Sequence, residues 1–502
     1  MSESGEPREP VDSAAYVEAC MPADAKEALQ SVIGLDYHHW LEDWLGRRSV
    51  RWLLRRLSAD RRNGPFLMRI FETYADPYAT WSERFFYRIG HALIDAARGS
   101  TSRETVRKRL CEHRAVLRGM VNTARSVGEF GLTTPQKFSA PLFCVWNFTQ
   151  RCNLTCAHCY QSAEHTARAD ELTLDEKLNL VEQMAETWVA MLAFAGGEPT
   201  LSPDLEPVLE RVQQHGFHVS LATNGTTLTP KRVGRLGELG VRYCEVSLDS
   251  INPEKHDRFR GVPGMWQRSV DGIKNVVAEG KRTDNRIRAG IAMCVTQANF
   301  SEVEEMIRFA IDLGCSCFAH FNFIPVGRGS DMVDSDITPD QREELMTLLN
   351  RYMQDGPIGI LSTAPQLGRF ALAHAGLGGR VATSHCGSSS GLKTRVVAKY
   401  LGGCGAGRTY ACIEPNGDIT PCVYMPERPY GNIRDKSFKE LVRDGDQWEC
   451  LNTRSAFSSH CGDCRFRNYC GGCRARADAY FNALDAPDPG CLFNQAAWKK
   501  LA

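Results

Sequence analysis

Apolar positions along the chain follow two regimes. From about residue 26 to 130 the period is helical. Val50, Leu53, Leu54 and Leu57 share one face, with Arg51, Arg55 and Arg56 turned away from it. Phe66, Leu67, Ile70, Phe71 and Tyr74 repeat that spacing, as do Phe85, Phe86, Ile89, Leu93 and Ile94. Asn63-Gly64-Pro65 and Gly99-Ser100 break the helices. After a linker at Gly131-Leu132-Thr133-Thr134-Pro135 the pattern changes. Short apolar runs at Leu142–Phe148, Val189–Ala195, His218–Thr223, Tyr243–Leu248, Ala289–Val295 and Cys317–Ile324 read as strands. Helical stretches follow the first five, near 173–187, 204–214, 229–238, 265–279 and 301–312. The first of these opens on a capping box, Thr173-x-x-Glu176. Alternation of this kind predicts an α/β fold with a parallel sheet, a partial (β/α)6 barrel whose ligands sit at the C-terminal ends of the strands.

The remainder is less regular. Residues 1–25 are acidic, small and Pro-punctuated, and read as a disordered arm. The helical domain spans 26–130, the barrel 138–355, a Gly/Ser-rich bridge with little regularity 356–403, and a Cys-rich region 404–502. Composition adds bounds. Formal charge is zero over 502 residues, which argues against general nucleic-acid binding. No apolar h-region is seen at the start and no apolar run reaches about 18 residues, so a cytoplasmic location is expected. Residues 47–118 carry 17 Lys and Arg against 7 Asp and Glu, whereas residues 1–46 carry 2 against 10. With Trp40, Trp44, Trp52, Tyr78 and Trp81 nearby, such a face could meet an anionic membrane or an acidic partner. Charge runs are more often solvated surface, and that reading is preferred here.

Twenty cysteines in such a chain point to metal ligation rather than disulfides. Cys152, Cys156 and Cys159 lie in one loop after the first strand. Three thiolates suit an iron–sulfur cluster with one iron left open, although a zinc site or buried thiols are the plainer alternatives. Other strands end on polar or glycine-rich turns. Gly196-Gly197-Glu198-Pro199 follows the second, Thr223-Asn224-Gly225 the third, Ser247-Leu248-Asp249-Ser250 the fourth, and Pro325-Val326-Gly327-Arg328-Gly329 the sixth. In the second turn the glycines allow close backbone approach, and the carboxylate can accept bonds from an ammonium group.

This set resembles the radical S-adenosylmethionine (SAM) superfamily over roughly 140–330. The resemblance implies that Cys152, Cys156 and Cys159 hold a 4Fe–4S cluster whose open iron is chelated by SAM. Reductive cleavage of SAM would then give a 5′-deoxyadenosyl radical that takes hydrogen from a substrate. It also implies SAM contacts from Gly196, Gly197, Glu198, Pro199, Thr223, Asn224 and Ser247. Arg260, in His256-Asp257-x-x-Arg260-Gly261, is a weaker candidate for the SAM carboxylate, because an exposed salt bridge would leave the same trace.

Further on come Cys404, Cys412, Cys422, Cys461-x2-Cys464-x5-Cys470-x2-Cys473 and Cys491. A zinc ribbon wants about 15–20 residues between its Cys pairs, not five. The pattern resembles the SPASM extension, which implies two auxiliary 4Fe–4S clusters. By position Cys404, Cys412, Cys422 and Cys473 would hold one, and Cys461, Cys464, Cys470 and Cys491 the other. Val423 stands where the sulfatase-maturing branch has an acid, which argues against that branch. The form of the final cysteines looks more like enzymes of haem and cofactor biosynthesis and some lipid-modifying members.

Of the remaining cysteines, Cys144, Cys244, Cys294, Cys315, Cys317 and Cys111 read as small buried hydrophobes. Cys20 falls in the arm, and Cys386 and Cys450 are left without a role. The expected function is an oxidative radical SAM/SPASM enzyme acting on a small-molecule, cofactor-precursor or lipid-like metabolite. A low-potential donor such as flavodoxin or ferredoxin would serve it. A maturase of a ribosomally made peptide is the alternative, and a non-catalytic iron–sulfur or zinc scaffold the remote one.

Overall fold

The computed structural model describes residues 40–501 apart from 63, 99–100, 375–377, 385–386, 444–446, 459 and 500. The expected arm with Cys20, as well as Cys386, lies outside the described residues. Six parallel strands stand in chain order as the pattern predicts: β1 (Phe143–Asn147), β2 (Met191–Ala195), β3 (His218–Thr223), β4 (Val241–Ser247), β5 (Arg288–Val295) and β6 (Cys317–Asn322). Helices Leu174–Glu186, Leu205–His215, Pro230–Glu238, Met265–Arg282 and Val303–Leu313 return the chain between them. The Thr173 capping box forms, its hydroxyl accepting from the Glu176 amide at 3.3 Å. Strands and helices enclose one apolar core, in which Trp146, Phe148 and Phe194 pack ring against ring.

The sheet grows at both edges beyond the six units. β7 (Gly359–Ser362) pairs parallel with β6, and it lies in the stretch read as irregular. That stretch also holds helix Gln366–His374, a two-stranded ribbon β8 (Arg380–Ser384) and β9 (Gly387–Ser390), and helix Leu392–Leu401. At the other edge β10 (Tyr410–Ile413) pairs parallel with β1, and β11 (Asp418–Thr420) and β12 (Gly431–Asn432) follow antiparallel. The sheet thus has ten strands in the order β12-β11-β10-β1-β2-β3-β4-β5-β6-β7, and the Cys-rich region shares the barrel's core through Ala411, Ile413 and Ile419.

Residues 40–130 are helical throughout their regular elements, with α1 Trp40–Gly46, α2 Arg48–Ser58, α3 Phe66–Glu72, α4 Trp81–Phe86, α5 Arg88–Arg98, α6 Arg103–Glu112 and α7 Arg114–Phe130. α7 docks this layer on the barrel. Buried Arg118 donates to the carbonyls of Val189 (2.6 Å) and Ala185 (2.9 Å), closing the end of helix Leu174–Glu186. Desolvation holds its guanidinium down to about 9. One expectation fails here. Arg51 and Arg55 do not turn away from the packed face. They donate to the Glu129 and Gly128 carbonyls at the end of α7, where the helix has no internal partners to offer, while Leu53 is exposed. The aromatic face of α4 and α5 is solvent-exposed, while the small core of this layer is built from α3, α6 and α7 with Ile94 of α5 against it.

Candidate functional site

The loop after β1 is held almost entirely by backbone. Thr155 and Ala157 amides donate to Arg260 and Phe259 carbonyls at 3.2 and 3.0 Å, and Cys152 N donates to Glu164 O at 2.6 Å. From the end of β6, Arg328 N reaches Cys159 O at 3.0 Å while its guanidinium spans the Cys156 and Ala163 carbonyls at 3.0 and 2.6 Å. Gly327, at φ +59°, lets the chain pass so close that a Cβ there would meet Cys159 O at 2.5 Å. Two turns named for their sequence alone therefore act as the cradle of the thiol loop.

Cys152, Cys156 and Cys159 face one cavity and share one packed cluster. Donors aim at each sulfur: Leu154 N at Cys152 (3.4 Å), Ala163 N at Cys159 (3.4 Å) and Arg260 Nη1 at Cys156 (3.7 Å). Burial pushes the Cys152 thiol up to about 12, so its thiolate needs bound cations to persist. Donated hydrogen bonds and a dry setting fit an iron–sulfur cluster. Among the described residues no three His, Cys, Asp or Glu side chains converge as a mononuclear site would require.

Of the expected SAM residues, Gly196, Gly197, Thr223, Asn224, Ser247 and Arg260 line the cavity, while Glu198 and Pro199 do not. Glu198 is spent on protein donors. Its oxygens accept from Thr200 Oγ1 (2.5 Å), Thr223 Oγ1 (2.8 Å) and Asn224 N (2.8 Å), which ties the β2 turn to the β3 turn. The glycines press against the thiol loop, Gly197 N donating to Thr149 O at 2.7 Å, and a Cβ on Gly197 would collide with the Arg151 carbonyl. Arg260 is no exposed salt bridge. It is buried and donates to Asp249 at 2.6 Å, and Asp249 and Cys156 outweigh the burial that opposes its charge. Asp249 is fixed in turn by the Cys294 amide at 2.9 Å and lies 4.0 Å from His158. The largely enclosed His158 stacks on Phe259 with centroids 4.0 Å apart, and desolvation holds it down to about 3.

The C-terminal thiols fall into two groups. Cys404, Cys412, Cys422 and Cys473 lie near enough to disfavour one another's thiolates, on top of a larger effect of burial. Cys461, Cys464, Cys470 and Cys491 do the same. The first group opens on the cavity through Cys404, Cys422 and Cys473, whereas no member of the second lines it. Buried Arg369 stands beside Cys491 and Cys470, a fixed positive charge for the second group. Cys450 is exposed and Cys144, Cys244 and Cys315 are buried as expected, but Cys294 and Cys317 line the cavity rather than filling a core.

The cavity, of about 470 Å³, is continuous from the three thiols to the first C-terminal group. Tyr160 and Tyr424 line it, their rings 5.2 Å apart, and Tyr160 donates to Asn147 at 2.9 Å. Sequence reasoning missed Glu245, which lines the cavity from β4 two residues below Ser247. Burial raises its carboxyl to about 7, and no hydrogen bond or ion pair to another described residue engages it. A charged residue in the middle of a strand covered on both faces was the signal available.

Comparison with known proteins places this architecture. A family model described as the radical SAM superfamily matches residues 146–310, and one described as an iron–sulfur cluster-binding domain, SPASM, matches 404–473. The AdoMet-dependent heme synthase of Methanosarcina barkeri (strain Fusaro / DSM 804) is 30% identical over 71% of this chain and 97% of its own. The antilisterial bacteriocin subtilosin biosynthesis protein AlbA of Bacillus subtilis (strain 168) is 26% identical over 65% of this chain and 68% of its own. The crystal structure of Streptococcus suis SuiB bound to S-adenosylmethionine superimposes with a TM-score of 0.58 at 16% identity, over 85% of this chain and 93% of that one. The chain belongs to the radical SAM superfamily, as an enzyme that works on S-adenosylmethionine with a 4Fe–4S cluster and carries a SPASM domain for auxiliary iron–sulfur clusters.

Proposed function

We propose that the protein oxidises a small-molecule or cofactor-precursor substrate held in the barrel cavity. In this reading Cys152, Cys156 and Cys159 would hold a 4Fe–4S cluster, which together with SAM would supply the radical chemistry that takes hydrogen from a substrate. Gly196, Gly197, Asn224 and Ser247 shape the SAM subsite. Arg260 is aimed at the same corner, with Asp249 fixing its direction. Glu198 acts as a positioning residue through Thr223 and Asn224. Cys404, Cys412, Cys422 and Cys473 hold the auxiliary cluster that faces the substrate, and Cys461, Cys464, Cys470 and Cys491 hold a second one away from it.

The observation that carries this reading is the single cavity lined at once by the three barrel thiols and by Cys404, Cys422 and Cys473. A substrate between them has a hydrogen acceptor on one side and an electron acceptor on the other. A volume of about 470 Å³ lies in the range of small-molecule sites. Similarity to a haem synthase over nearly all of that protein supports a metabolite. A peptide maturase is the second reading, supported by the weaker likeness to AlbA.

Anaerobically reconstituted protein should hold about twelve irons and form 5′-deoxyadenosine with SAM and dithionite. Cys156→Ala should lose about four irons and all deoxyadenosine formation, with the auxiliary clusters retained. Undiminished cleavage would move the catalytic cluster elsewhere. Iron porphyrins and the short peptides encoded by neighbouring genes then separate the two substrate readings, by which of them raises deoxyadenosine formation and is itself changed.

A further inference from the structure

Tyr78, Trp81, Phe85, Phe86, Ile89 and Leu93 are 89, 79, 53, 68, 70 and 52% exposed. They are no scatter of single residues. Trp81 and Phe85 share a face of α4, and Ile89 and Leu93 a face of α5, the two helices meeting at Tyr87. The exposed rings are already organised: Trp81 stacks on Phe85 at 5.5 Å and 15°, and Arg88 lies over Phe85 at 4.5 Å. Tyr87 and His91 are turned to the packed side, against Phe66 and Tyr74. A surface of this size and composition marks an interaction site.

Charge chooses the occupant. Over residues 47–118 cations outnumber anions 17 to 7. Five of the acids are paired within the domain, Asp60 with Arg125, Glu72 and Glu83 with Arg69, Asp95 with Arg98 and Arg103, and Asp76 with Arg107. Arg84 and Arg88 lie on the same two helices as the apolar face. We propose that α4 and α5 lie in the interface of an anionic phospholipid membrane, with the apolar face among the acyl boundary and the arginines among the headgroups. Aromatic and aliphatic residues on one face with arginine around them is the composition of an interfacial helix. None of the described helices is long and apolar enough to cross a membrane, so this contact is peripheral.

The full-length reconstituted enzyme should pellet with vesicles of phosphatidylglycerol and phosphatidylcholine in equal parts. Partitioning should be about tenfold weaker on phosphatidylcholine alone or in about 0.5 M salt. Trp81→Ser with Phe85→Ser and Ile89→Ser should cut it at least about tenfold while leaving uncoupled deoxyadenosine formation unchanged. A second readout needs no disruptive variant: brominated lipid should quench tryptophan emission, and Trp81→Phe should remove part of that quenching. Wild-type protein that stays in the supernatant with anionic vesicles overturns the proposal. So does a mass by light scattering that falls from dimer to monomer in the triple variant, since the apolar face would then join two copies of the chain.

Discussion

Glu245 sits in the barrel with a carboxyl raised by burial to about 7, against an ordinary value of about 4.3. The folded state therefore binds a proton more tightly than the unfolded one. Its contribution is fully present below the unfolded pKa and is lost as pH rises through about 7. Glu245→Gln should remove that loss. Unfolding free energies of wild type and variant should agree near pH 4.5 and separate by pH 8.5 in the variant's favour, by about 3 kcal/mol. Parallel curves across that range would mean the carboxyl is solvated in the free enzyme. The contrast with the cysteines shows what is legible at this scale. Cys152, Cys156 and Cys159 announce themselves because their spacing is local and their chemistry narrow. Glu245 depends on which face of β4 points inward and on an empty centre, and neither is written in neighbouring letters. Glu198 is legible by type, which suits an ammonium group, while its engagement by Thr200, Thr223 and Asn224 is not.

Between elements, a buried electrostatic seam joins the segment after β6, Asp336 and helix Pro339–Asp355, to helix Arg474–Phe481. Buried Asp336 takes Arg342 at 2.7 Å and Arg476 at 2.6 Å, and Arg476 reaches Asp488 at 3.2 Å. Asp488 also accepts from the Cys473 amide at 2.7 Å and from Gln366 at 2.6 Å. Burial alone would raise the Asp336 carboxyl, but the two arginines hold it below its ordinary range. Asp336→Asn would leave two buried guanidiniums short of countercharge, at a cost of about 3–5 kcal/mol. Glu304→Gln, which breaks only surface pairs with Arg308 and Arg351, should cost about 1 kcal/mol or less. Chemical denaturation of both variants checks the ranking, and equal midpoints would remove the seam's importance. Elements with local signatures were legible: the capping box at Thr173 and the apolar runs of β1–β6 need no distant information. β7 was not, because Gly359–Ser362 is a strand only by pairing with β6 some forty residues earlier. The exposed apolar face on α4 and α5 was legible only as an apolar face, since periodicity does not report what covers it.

Across the whole molecule the C-terminal third is stitched to the barrel twice, by β10 on β1 and by the Asp336 seam, and is closed on itself by thiols distant in sequence. Cys473 sits with Cys404, Cys412 and Cys422, while Cys491 sits with Cys461, Cys464 and Cys470. If each quartet holds a cluster, binding free energy is also folding free energy for every segment it joins. The two quartets should differ when broken. Cys491→Ala removes a ligand that belongs to the group away from the cavity, and Cys491 also packs with Phe466, Tyr469 and Phe493. Losing it should release the segment after Gly490 and open 450–501 to protease, with iron lower by about four per chain. The barrel should stay folded, because its core draws on β1–β6 and their helices rather than on Cys491. SAM cleavage without substrate should therefore persist. Substrate turnover should fall if the second cluster relays the electron onward, and should survive if that cluster is only a staple. Limited proteolysis, iron analysis and deoxyadenosine formation on one preparation separate these cases. A Cys491→Ala protein with full iron and unchanged protease resistance would remove Cys491 from the ligand set.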